Sequence, residues 1–433
     1  ILNIMKTTHI HRSHFKKQSI LNRQNALYHT SDKISQQNYD KVNIEDSIKY
    51  TAGQDTIISK KINQNEILIG CFDGHGTNGH YHSFITSGIL SKMLLDCIPI
   101  FKLHLKKNNY SNINNLITYC YNKTQEELYN GSFINIDKHS GSTAAVALIL
   151  EVEINGKKCR KLISTNAGDS SIILKTYNGD TRECSLEHNC DNIEAVNAYL
   201  KRLKLRKNYL KKSLEIAQVS NKCTNNLIIE YNKCEPKPIY YFREESQIAD
   251  WLKSIGIEKP LVLYNYINDE AQLNKTDYEI INTYYPHGQQ SIRVPDTYKR
   301  EDGKIVAIEG REHDNWGSSL KGSTQTLNGF GDIFNYPHIS PEPYISINDI
   351  DDKCNILIAS DGITDLFDFE ALMKFINNNC NNEDFDNIMY NHIFEISSKY
   401  PQYGKSINTY THKVHPLWDD ISCIIITLDD ISH

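Results

Sequence analysis

Five aspartates lie at or beside the ends of apolar runs, each within two residues of a glycine or another aspartate. They are Asp55, Asp73, Asp169, Asp361 and Asp419. Carboxylates can share a small volume only when something offsets their negative charge, and hard divalent cations, which prefer oxygen ligands, have that effect. A glycine beside an acid also lets a backbone carbonyl approach an ion. The pattern therefore predicts a site for a pair of divalent cations, and hence a metal-dependent hydrolase.

The chemistry of such a site requires one further group. Two neighbouring cations lower the pKa of a shared water and offset charge on a phosphoryl oxygen, so the protein mainly has to supply a proton for the leaving group. His75 stands two residues after Asp73 and is a residue type that titrates near neutrality, which makes it the candidate general acid. Taken singly these features are weak, since most Asp-Gly pairs are turns and a lone histidine is more often a surface or core residue.

The acids adjoin segments whose composition predicts buried strands. Short apolar runs bounded by turn residues indicate strands at 66–72, 143–150, 161–165, 171–176, 354–359 and 421–428. The dipeptide Asn155-Gly156 predicts a hairpin turn between two strands. Asp169 is expected at the tip of a second hairpin.

Helices are predicted between the blocks of strands. Apolar residues at helical spacing indicate helices at 84–94, 113–128 and 385–400, and a further helix begins after Asp368. Pro99 is expected to end or kink the first of them. Blocks of strands separated from pairs of helices predict an α+β fold with antiparallel sheets. Because the strands are almost entirely apolar, we expect two packed sheets with helices covering both outer faces.

Two regions differ in composition from the rest of the chain. Residues 1–45 are polar and aperiodic, and we interpret them as a mobile N-terminal arm. Residues 185–325 are charged and rich in tyrosine, with turns that contain proline, and we interpret them as an insertion. A basic stretch at 201–212 within this insertion fits a solvated helix face better than a binding patch.

The bulk composition excludes several classes of partner. The 433 residues carry a net charge of −6 and a pI of about 6.3, unlike most nucleic-acid-binding domains. The 11 cysteines contain no CxxC pair and indicate reduced thiols in an intracellular, cytoplasmic compartment. No apolar run reaches the roughly 18 residues that span a bilayer, and no secretory signal is visible. We expect a monomer with no nucleic-acid or membrane partner.

Six segments, in order along the chain, resemble the motifs of the protein phosphatase 2C family of metal-dependent serine/threonine phosphatases. They are Phe72-Asp73-Gly74-His75-Gly76, Gly141-Ser142-Thr143-Ala144, Asn166-Ala167-Gly168-Asp169-Ser170, Gly331-Asp332, Ala359-Ser360-Asp361-Gly362-Ile363-Thr364-Asp365 and Trp418-Asp419-Asp420-Ile421-Ser422. Their order is far more specific than any single motif. The resemblance covers residues 46–428 and makes 185–325 an enlarged insertion where the family carries its substrate-facing flap.

The resemblance implies a four-layer αββα sandwich, in which two antiparallel β-sheets are flanked by helices and a binuclear Mg²⁺ or Mn²⁺ centre lies between the sheets. Carried over by motif, Asp73 would bridge both ions and the carbonyl of Gly74 would bind one of them. Asp361 and Asp419 would bind the other ion, and Asp55 would hold metal-bound water.

The same resemblance assigns roles to the remaining candidate residues. His75 would be the general acid. Asp169 and Asp365 match acids of a third, weaker metal site. Thr143 matches a residue that contacts the metal ligands without binding the metal itself. Asp420 stands where many relatives have asparagine.

Three features depart from the family pattern. Many relatives carry an arginine before the first acid, where it grips the substrate phosphate, whereas this chain offers Lys49. Lysine attracts phosphate as a point charge but cannot make the two parallel hydrogen bonds of arginine. The first motif also has Gln54-Asp55 in place of Glu-Asp, and the separation between Asp169 and Asp332 is far longer than usual, so the insertion is expected to shape or block access.

The leading hypothesis is a phosphoprotein phosphatase that hydrolyses phosphoserine and phosphothreonine. In the family mechanism a metal-bridging hydroxide attacks phosphorus and His75 would protonate the leaving oxygen. The alternative is a weak or inactive pseudophosphatase that binds a protein through the insertion, a reading that loss of a core acid would favour. A third possibility, an unrelated metal hydrolase of small phosphoesters, requires the order of the six motifs to be coincidence.

Overall fold

The computed structural model describes residues 3–12, 47–52, 54–76, 78–130, 140–189, 192–219, 224–234, 239–241, 261–262, 264–267, 270–273, 305–306, 312–313, 319–320, 326–351, 353–364, 367–399 and 420–430. Most of the predicted N-terminal arm and much of the predicted insertion lie outside these ranges. So do Asp365 and Asp419, two of the candidate metal ligands.

The strands and helices alternate in blocks along the chain. The strands are β1 (Asn3–Arg12), β2 (Ser47–Ala52), β3 (Asp55–Asn63), β4 (Glu66–Phe72), β5 (Gly74–His75), β6 (Gly141–Ser142), β7 (Ala144–Ile154), β8 (Lys157–Ala167), β9 (Ser171–Thr176), β10 (Thr181–Glu183), β11 (Ile239–Tyr241), β12 (Leu261–Val262), β13 (Tyr264–Ile267), β14 (Glu270–Leu273), β15 (Ile305–Val306), β16 (Glu312–His313), β17 (Ser319–Leu320), β18 (Phe330–Gly331), β19 (Tyr344–Ile350), β20 (Cys354–Ala359) and β21 (Ile421–Asp430). The helices are α1 (Gly79–Asp96), α2 (Ile98–Lys106), α3 (Tyr110–Asn130), α4 (Ile193–Val219), α5 (Asn225–Asn232), α6 (Asp361–Thr364), α7 (Phe369–Asn379) and α8 (Phe385–Lys399), with a 3₁₀ turn at Ile333–Asn335.

Two antiparallel sheets form the centre of the fold. The first has six strands in the order β19-β8-β7-β4-β3-β2, and the second has five in the order β1-β21-β20-β9-β10. Every neighbouring pair in both sheets is antiparallel. The predicted α+β class with antiparallel sheets is therefore confirmed.

The alternation of side chains along each strand divides the core in two. On β4, Ile67, Ile69 and Cys71 face the five-stranded sheet and join a cluster with isoleucines of β20 and β21. The alternate residues Leu68 and Phe72 join a second cluster with α1, α2 and α3. Since successive side chains of a strand point to opposite faces, β4 is buried on both faces and reads as a continuous apolar run.

Helices lie against both sheets. Helix α1 contacts β3 and β4 and packs on α3, whereas α7 contacts β20 and α8 contacts β1. The first helix ends at Asp96, close to Pro99 as predicted, and Pro99 itself lies in the first turn of α2, where its missing N–H would have had no helical partner. Within the described residues no single helix is long and apolar enough to cross a bilayer, although α1 and α2 pass that test as a pair bent by 49°.

The start of the chain adds a strand to the five-stranded sheet. Strand β1 pairs with β21 along its whole length, from Asn3 opposite Asp430 to Arg12 opposite Ile421. The first part of the predicted N-terminal arm therefore belongs to the sheet, and residues 13–46 lie outside the described part of the chain.

A third, small sheet adjoins the six-stranded sheet, because β5 follows β4 and β6 precedes β7, each after a single intervening residue. Its order is β18-β6-β5, so that Gly141 pairs with His75 on one side and with Gly331 on the other. This sheet joins three segments that are far apart in sequence. Each of the three comes from a different motif of the sequence.

Candidate active site

Asp73 is fixed through its backbone by Thr143. It follows the last residue of β4, and its amide N–H donates to Thr143 Oγ1 at 3.0 Å. The amide of Thr143 in turn donates to the Asp73 carbonyl at 2.7 Å. Thr143 Oγ1 also lies 2.8 Å from Ser170 Oγ. Thr143 thus ties the Asp73 motif to the hairpin that carries Asp169.

Asp55 begins β3 and is buried, and the residue before it is held from two sides. The Gln54 amide donates to the Asp420 carboxylate at 2.8 Å, and Ser83 Oγ donates to the Gln54 carbonyl at 2.6 Å. Asp420 immediately precedes β21, so this bond joins the starts of two strands from different sheets. It fixes the position at which Asp55 enters the site.

Gly74 brings the Asp73 turn against this same segment. A Cβ at position 74 would collide with the Gly79 carbonyl oxygen and would lie 2.5 Å from the carbonyl oxygen of Gln54. Glycine is therefore required here for close approach of backbone to backbone. The approach places the segments of Asp55 and Asp73 side by side.

Asp169 and Asp361 lie near the same end of two paired strands of the five-stranded sheet. Ser171 of β9 pairs with Ala359 of β20, and the two acids lie two positions beyond that pair, Asp169 in the turn before β9 and Asp361 at the start of α6. Burial, and next the negative charge of Asp361, raise the pKa of Asp169 to about 7. The two carboxylates are thus close enough to disfavour each other's ionisation.

The turn that carries Asp169 rests on a buried histidine. Gly168 has a φ of 114°, a value that favours glycine, and a Cβ there would lie 2.5 Å from Thr143 Cβ. His188 Nδ1 lies 3.1 Å from the Gly168 carbonyl oxygen and 3.3 Å from its amide nitrogen. Burial lowers the pKa of His188 to about 4, so this imidazole is neutral in the folded protein.

His75 forms an ion pair with Asp332. The distance between His75 Nε2 and Asp332 Oδ2 is 2.6 Å, with the histidine side chain 26% exposed and the carboxylate fully buried. Burial alone would lower the pKa of His75, but the charge and hydrogen bond of Asp332 outweigh it and raise the pKa overall. The charges of Asp169 and Asp361 act in the same direction, so the histidine lies within electrostatic reach of both acids.

Three candidate residues are not positioned in this way. Asp419 and Asp365 lie outside the described residues, and the roles predicted for them stay predictions. Lys49 lies on β2, opposite Ile58 of β3, and its side chain is likewise not described. The remaining candidates are brought together.

The types of ligand found in this region are those that hold hard divalent cations in proteins. Burial, and next the negative charge of Asp55, raise the pKa of the Cys71 thiol, and the charge of Asp361 contributes to the raised pKa of both Cys71 and Asp169, so these carboxylates lie near one another. Carboxylate and carbonyl oxygens are the ligands that Mg²⁺ and Mn²⁺ prefer. Among the described residues no three acid, histidine or cysteine side chains converge on a single point. The predicted set differs from such a triad, since it includes a backbone carbonyl and Asp419.

No role is predicted from the sequence for Asp332 or His188. The one signal for Asp332 is the place of its Gly-Asp motif in the order of six motifs. His188 stands in the predicted insertion without any motif around it. Their partners, His75 and Gly168, are 257 and 20 positions away respectively.

The structure resembles several solved structures. A C. elegans sex-determining protein is 15% identical, with a TM-score of 0.43, over 93% of this chain and 71% of that one. The serine/threonine phosphatase Stp1 from Staphylococcus aureus is 11% identical, with a TM-score of 0.40, over 89% of this chain and 94% of that one. The Mycobacterium tuberculosis serine/threonine phosphatase PstP/Ppp is 10% identical, with a TM-score of 0.35, over 89% of this chain and 97% of that one.

The sequence itself was compared with curated proteins and with protein families. No curated protein matches it significantly. The sequence model of the family described as Protein phosphatase 2C matches residues 31–194 and 328–399, which together make up more than half of the chain. Those ranges contain the motifs around Asp73, Thr143, Asp169, Asp332 and Asp361. The chain therefore belongs to the protein phosphatase 2C family.

Proposed function

We propose that this chain is an active, metal-dependent protein serine/threonine phosphatase. The observation that carries the proposal is the gathering of Asp55, Asp73, Asp169 and Asp361 around one region, beside a histidine paired with a buried carboxylate. Family membership agrees with it. Acids that repel one another stay together in a folded protein only where something offsets their charge, and bound cations would do so.

The proposal gives each acid a task. Asp73 would hold both ions, and the Gly74 carbonyl would hold one of them. Asp361 and Asp419 would hold the other ion, and Asp55 would act through metal-bound water. Asp169 and Asp365 would serve a third, weaker site. When bound, Mg²⁺ or Mn²⁺ would supply an activated water and offset charge on the phosphoryl oxygens. Since the nucleophile is water, no phosphoenzyme is expected.

His75 holds the proton that the leaving serine or threonine oxygen needs. An alkoxide is a poor leaving group, so its departure is accelerated by protonation as the P–O bond breaks. Asp332 favours the protonated ring through its charge and its hydrogen bond to Nε2. The histidine is also partly exposed, so it can be reached by a substrate.

The wider parts of the proposal follow from the same residues. We propose the four-layer αββα arrangement with the metal centre between the sheets, and the two clusters of buried residues support it. None of the nine described cysteines forms a disulfide, which supports a reducing, intracellular location. The substrate would be a phosphorylated protein, and the enzyme would act as a monomer.

Activity assays with defined metals test the proposal. Purified protein with Mn²⁺ or Mg²⁺ should hydrolyse a phosphothreonine peptide and p-nitrophenyl phosphate, whereas chelation should abolish both activities. Asp73→Asn and Asp361→Asn should reduce both to background while leaving the protein folded. Asp96→Asn, which removes an exposed acid at the end of α1, is the matched control and should change neither.

The alternative is a pseudophosphatase that binds a protein through the insertion. The lysine at position 49 and the size of the insertion keep it open. A wild-type protein that binds Mn²⁺ but is inert towards both substrates at all metal concentrations would establish this alternative. Activity that survives Asp73→Asn would contradict both hypotheses.

A further inference from the structure

The Asp332 carboxylate is buried against a single residue of the site. Its side chain is fully buried, and within the described residues His75 is its one ion-pair partner. A carboxylate taken out of water is strongly disfavoured unless it is paired with a positive charge or hydrogen-bonded. The pairing with His75 therefore compensates for the burial of the Asp332 carboxylate, and the His75 ring is the group on which that carboxylate acts.

The backbone around Asp332 is held in an uncommon conformation. Asp332 has φ 47° and ψ 40°, in the left-handed region, and follows Gly331 with φ 78°. A residue other than glycine is uncommon there and persists only where the surroundings enforce it. The Asp332 amide donates to the Ser140 carbonyl at 3.0 Å, and the Gln125 amide group exchanges two hydrogen bonds of 2.9 Å with the backbone of Gly331.

The small sheet explains why the two side chains can meet. Gly141 lies on the middle strand, between His75 on β5 and Gly331 on β18. A Cβ at Gly141 would collide with Asp332 Oδ2 and would lie 2.6 Å from His75 Nε2. The absence of a side chain at position 141 is therefore a condition for the His75–Asp332 pair.

Helix α4 of the insertion holds the segment on either side of Asp332. The guanidinium of Arg202 donates to the Leu327 carbonyl at 3.1 Å, to Asn328 Oδ1 at 3.1 Å and to the His338 carbonyl at 3.0 Å. Tyr199 OH lies 3.0 Å from His338 Nδ1. Both ends of the segment that carries Asp332 are thus fastened to the insertion.

We propose that Asp332 is a positioning residue for His75. The absence of a side chain at Gly141 and the contacts of Arg202 and Tyr199 on α4, here called the clamp, keep the pair in place. The inference rests on the proposed phosphatase activity. By accepting a hydrogen bond from Nε2, Asp332 fixes the ring and leaves Nδ1 as the nitrogen that delivers a proton. In the reaction, water forms the new bond to phosphorus and loses a proton to solvent. The ester P–O bond breaks, its electron pair passes to the ester oxygen, and that oxygen takes the proton from Nδ1.

The leaving-group dependence of Asp332 variants tests this role. Asp332→Ala should reduce kcat/KM for a phosphothreonine peptide about 10- to 100-fold more than for p-nitrophenyl phosphate, because the aryl leaving group needs less protonation. Asp332→Asn still accepts a hydrogen bond from Nε2 and should lose less. Gly141→Ala should show the same selectivity as Asp332→Ala. Asp349→Ala, which breaks the ion pair between an exposed aspartate and Lys161, is the control and should affect both substrates equally or not at all.

Two measurements separate positioning from a general structural effect. In a His75→Gln background, adding Asp332→Ala should cause no further selective loss. Arg202→Met keeps the side-chain stem and removes the three hydrogen bonds, so it should reproduce the selectivity at smaller amplitude. Equal losses on both substrates for Asp332→Ala would overturn the role of Asp332, and equal losses for Arg202→Met would overturn the role of the clamp.

A readout without turnover distinguishes this inference from the proposed function. In metal-free protein labelled with ¹⁵N-histidine, the His75 Nε2–H signal can be assigned by its absence in His75→Gln. It should shift or broaden in Asp332→Ala and persist in Asp332→Asn. An unchanged signal would refute the pairing, whether or not the enzyme is active. Calorimetry should find Mn²⁺ affinity unchanged in Asp332→Ala, and a large loss would make Asp332 a metal ligand instead.

Discussion

Replacing His188 with asparagine tests whether a neutral, buried imidazole supports the turn that carries Asp169. His188 is 3% exposed, and burial lowers its pKa to about 4 against the opposing effect of the Gly168 carbonyl. In the unfolded chain the same imidazole would have its ordinary pKa of about 6.5. The unfolded chain therefore binds a proton more readily than the folded protein between these two values.

The size of the effect follows from the two pKa values. At pH 5 the unfolded chain carries this proton almost completely, whereas the folded protein carries it in about a tenth of the molecules. Integrating the difference in bound protons gives a loss of about 2 kcal/mol in the free energy of unfolding between pH 7 and pH 5. The sign is fixed by the direction of the shift. This contribution is retained above the unfolded pKa and is lost as the pH falls towards the folded pKa of about 4.

Chemical denaturation of both proteins at pH 7, 6 and 5, in the presence of a chelator, measures this contribution. Asparagine can accept from the Gly168 amide or donate to its carbonyl without titrating in this range. The stability advantage of the wild type over His188→Asn should therefore shrink by about 2 kcal/mol from pH 7 to pH 5. An advantage that is constant with pH would show that the folded imidazole titrates normally, and the reasoning about its burial would be wrong.

Three further perturbations have defined outcomes. Phe330→Ala should lower the free energy of unfolding by about 3–5 kcal/mol in urea denaturation, because its ring is fully buried 5.3 Å from that of Tyr121, and a cost below about 1 kcal/mol would contradict this packing. Asp420→Asn should keep Mn²⁺ affinity within about twofold, whereas Asp420→Ala should weaken it roughly 10- to 100-fold, because asparagine still accepts from the Gln54 amide. Calorimetry measures the Mn²⁺ affinity of both variants, and an equal loss of affinity would count against a supporting role for the bond between Gln54 and Asp420. Lys49→Arg should lower KM for a phosphopeptide with little change in kcat, because arginine can make two hydrogen bonds to phosphate, and an unchanged KM in steady-state assays would remove position 49 from the substrate site.

The strands that carry the acids were predictable because local composition determines them. Strand β4 is buried along its whole length, with alternate residues in two separate clusters, so no polar residue interrupts its apolar run. The Asn155-Gly156 turn was predictable for a similar reason. Its φ values of 53° and 78° are ones that few residues other than asparagine and glycine adopt, and the dipeptide therefore specifies the hairpin between β7 and β8.

The contacts that position the acids were not predictable, because they join distant segments. The bond between Gln54 and Asp420 spans 366 positions, and the pair of His75 and Asp332 spans 257. Neither leaves a local pattern of hydrophobicity or turn residues. Strand β1 escaped prediction for a related reason, since its polar, aperiodic sequence becomes a strand by pairing with β21 at the other end of the chain.

The hydrogen bonds around the acids sort these residues into two groups. Asp332 and Asp420 each use a carboxylate oxygen within the protein, one on His75 and the other on a backbone amide. Asp73 is fixed through its backbone by Thr143, and Asp169 sits on a turn that contacts the buried His188. Burial and the charge of Asp361 raise the pKa of Asp169, and the nearby His75 opposes this less than either. A divalent cation beside Asp169 and Asp361 would reverse that effect, because its positive charge favours the ionised form of both carboxyl groups.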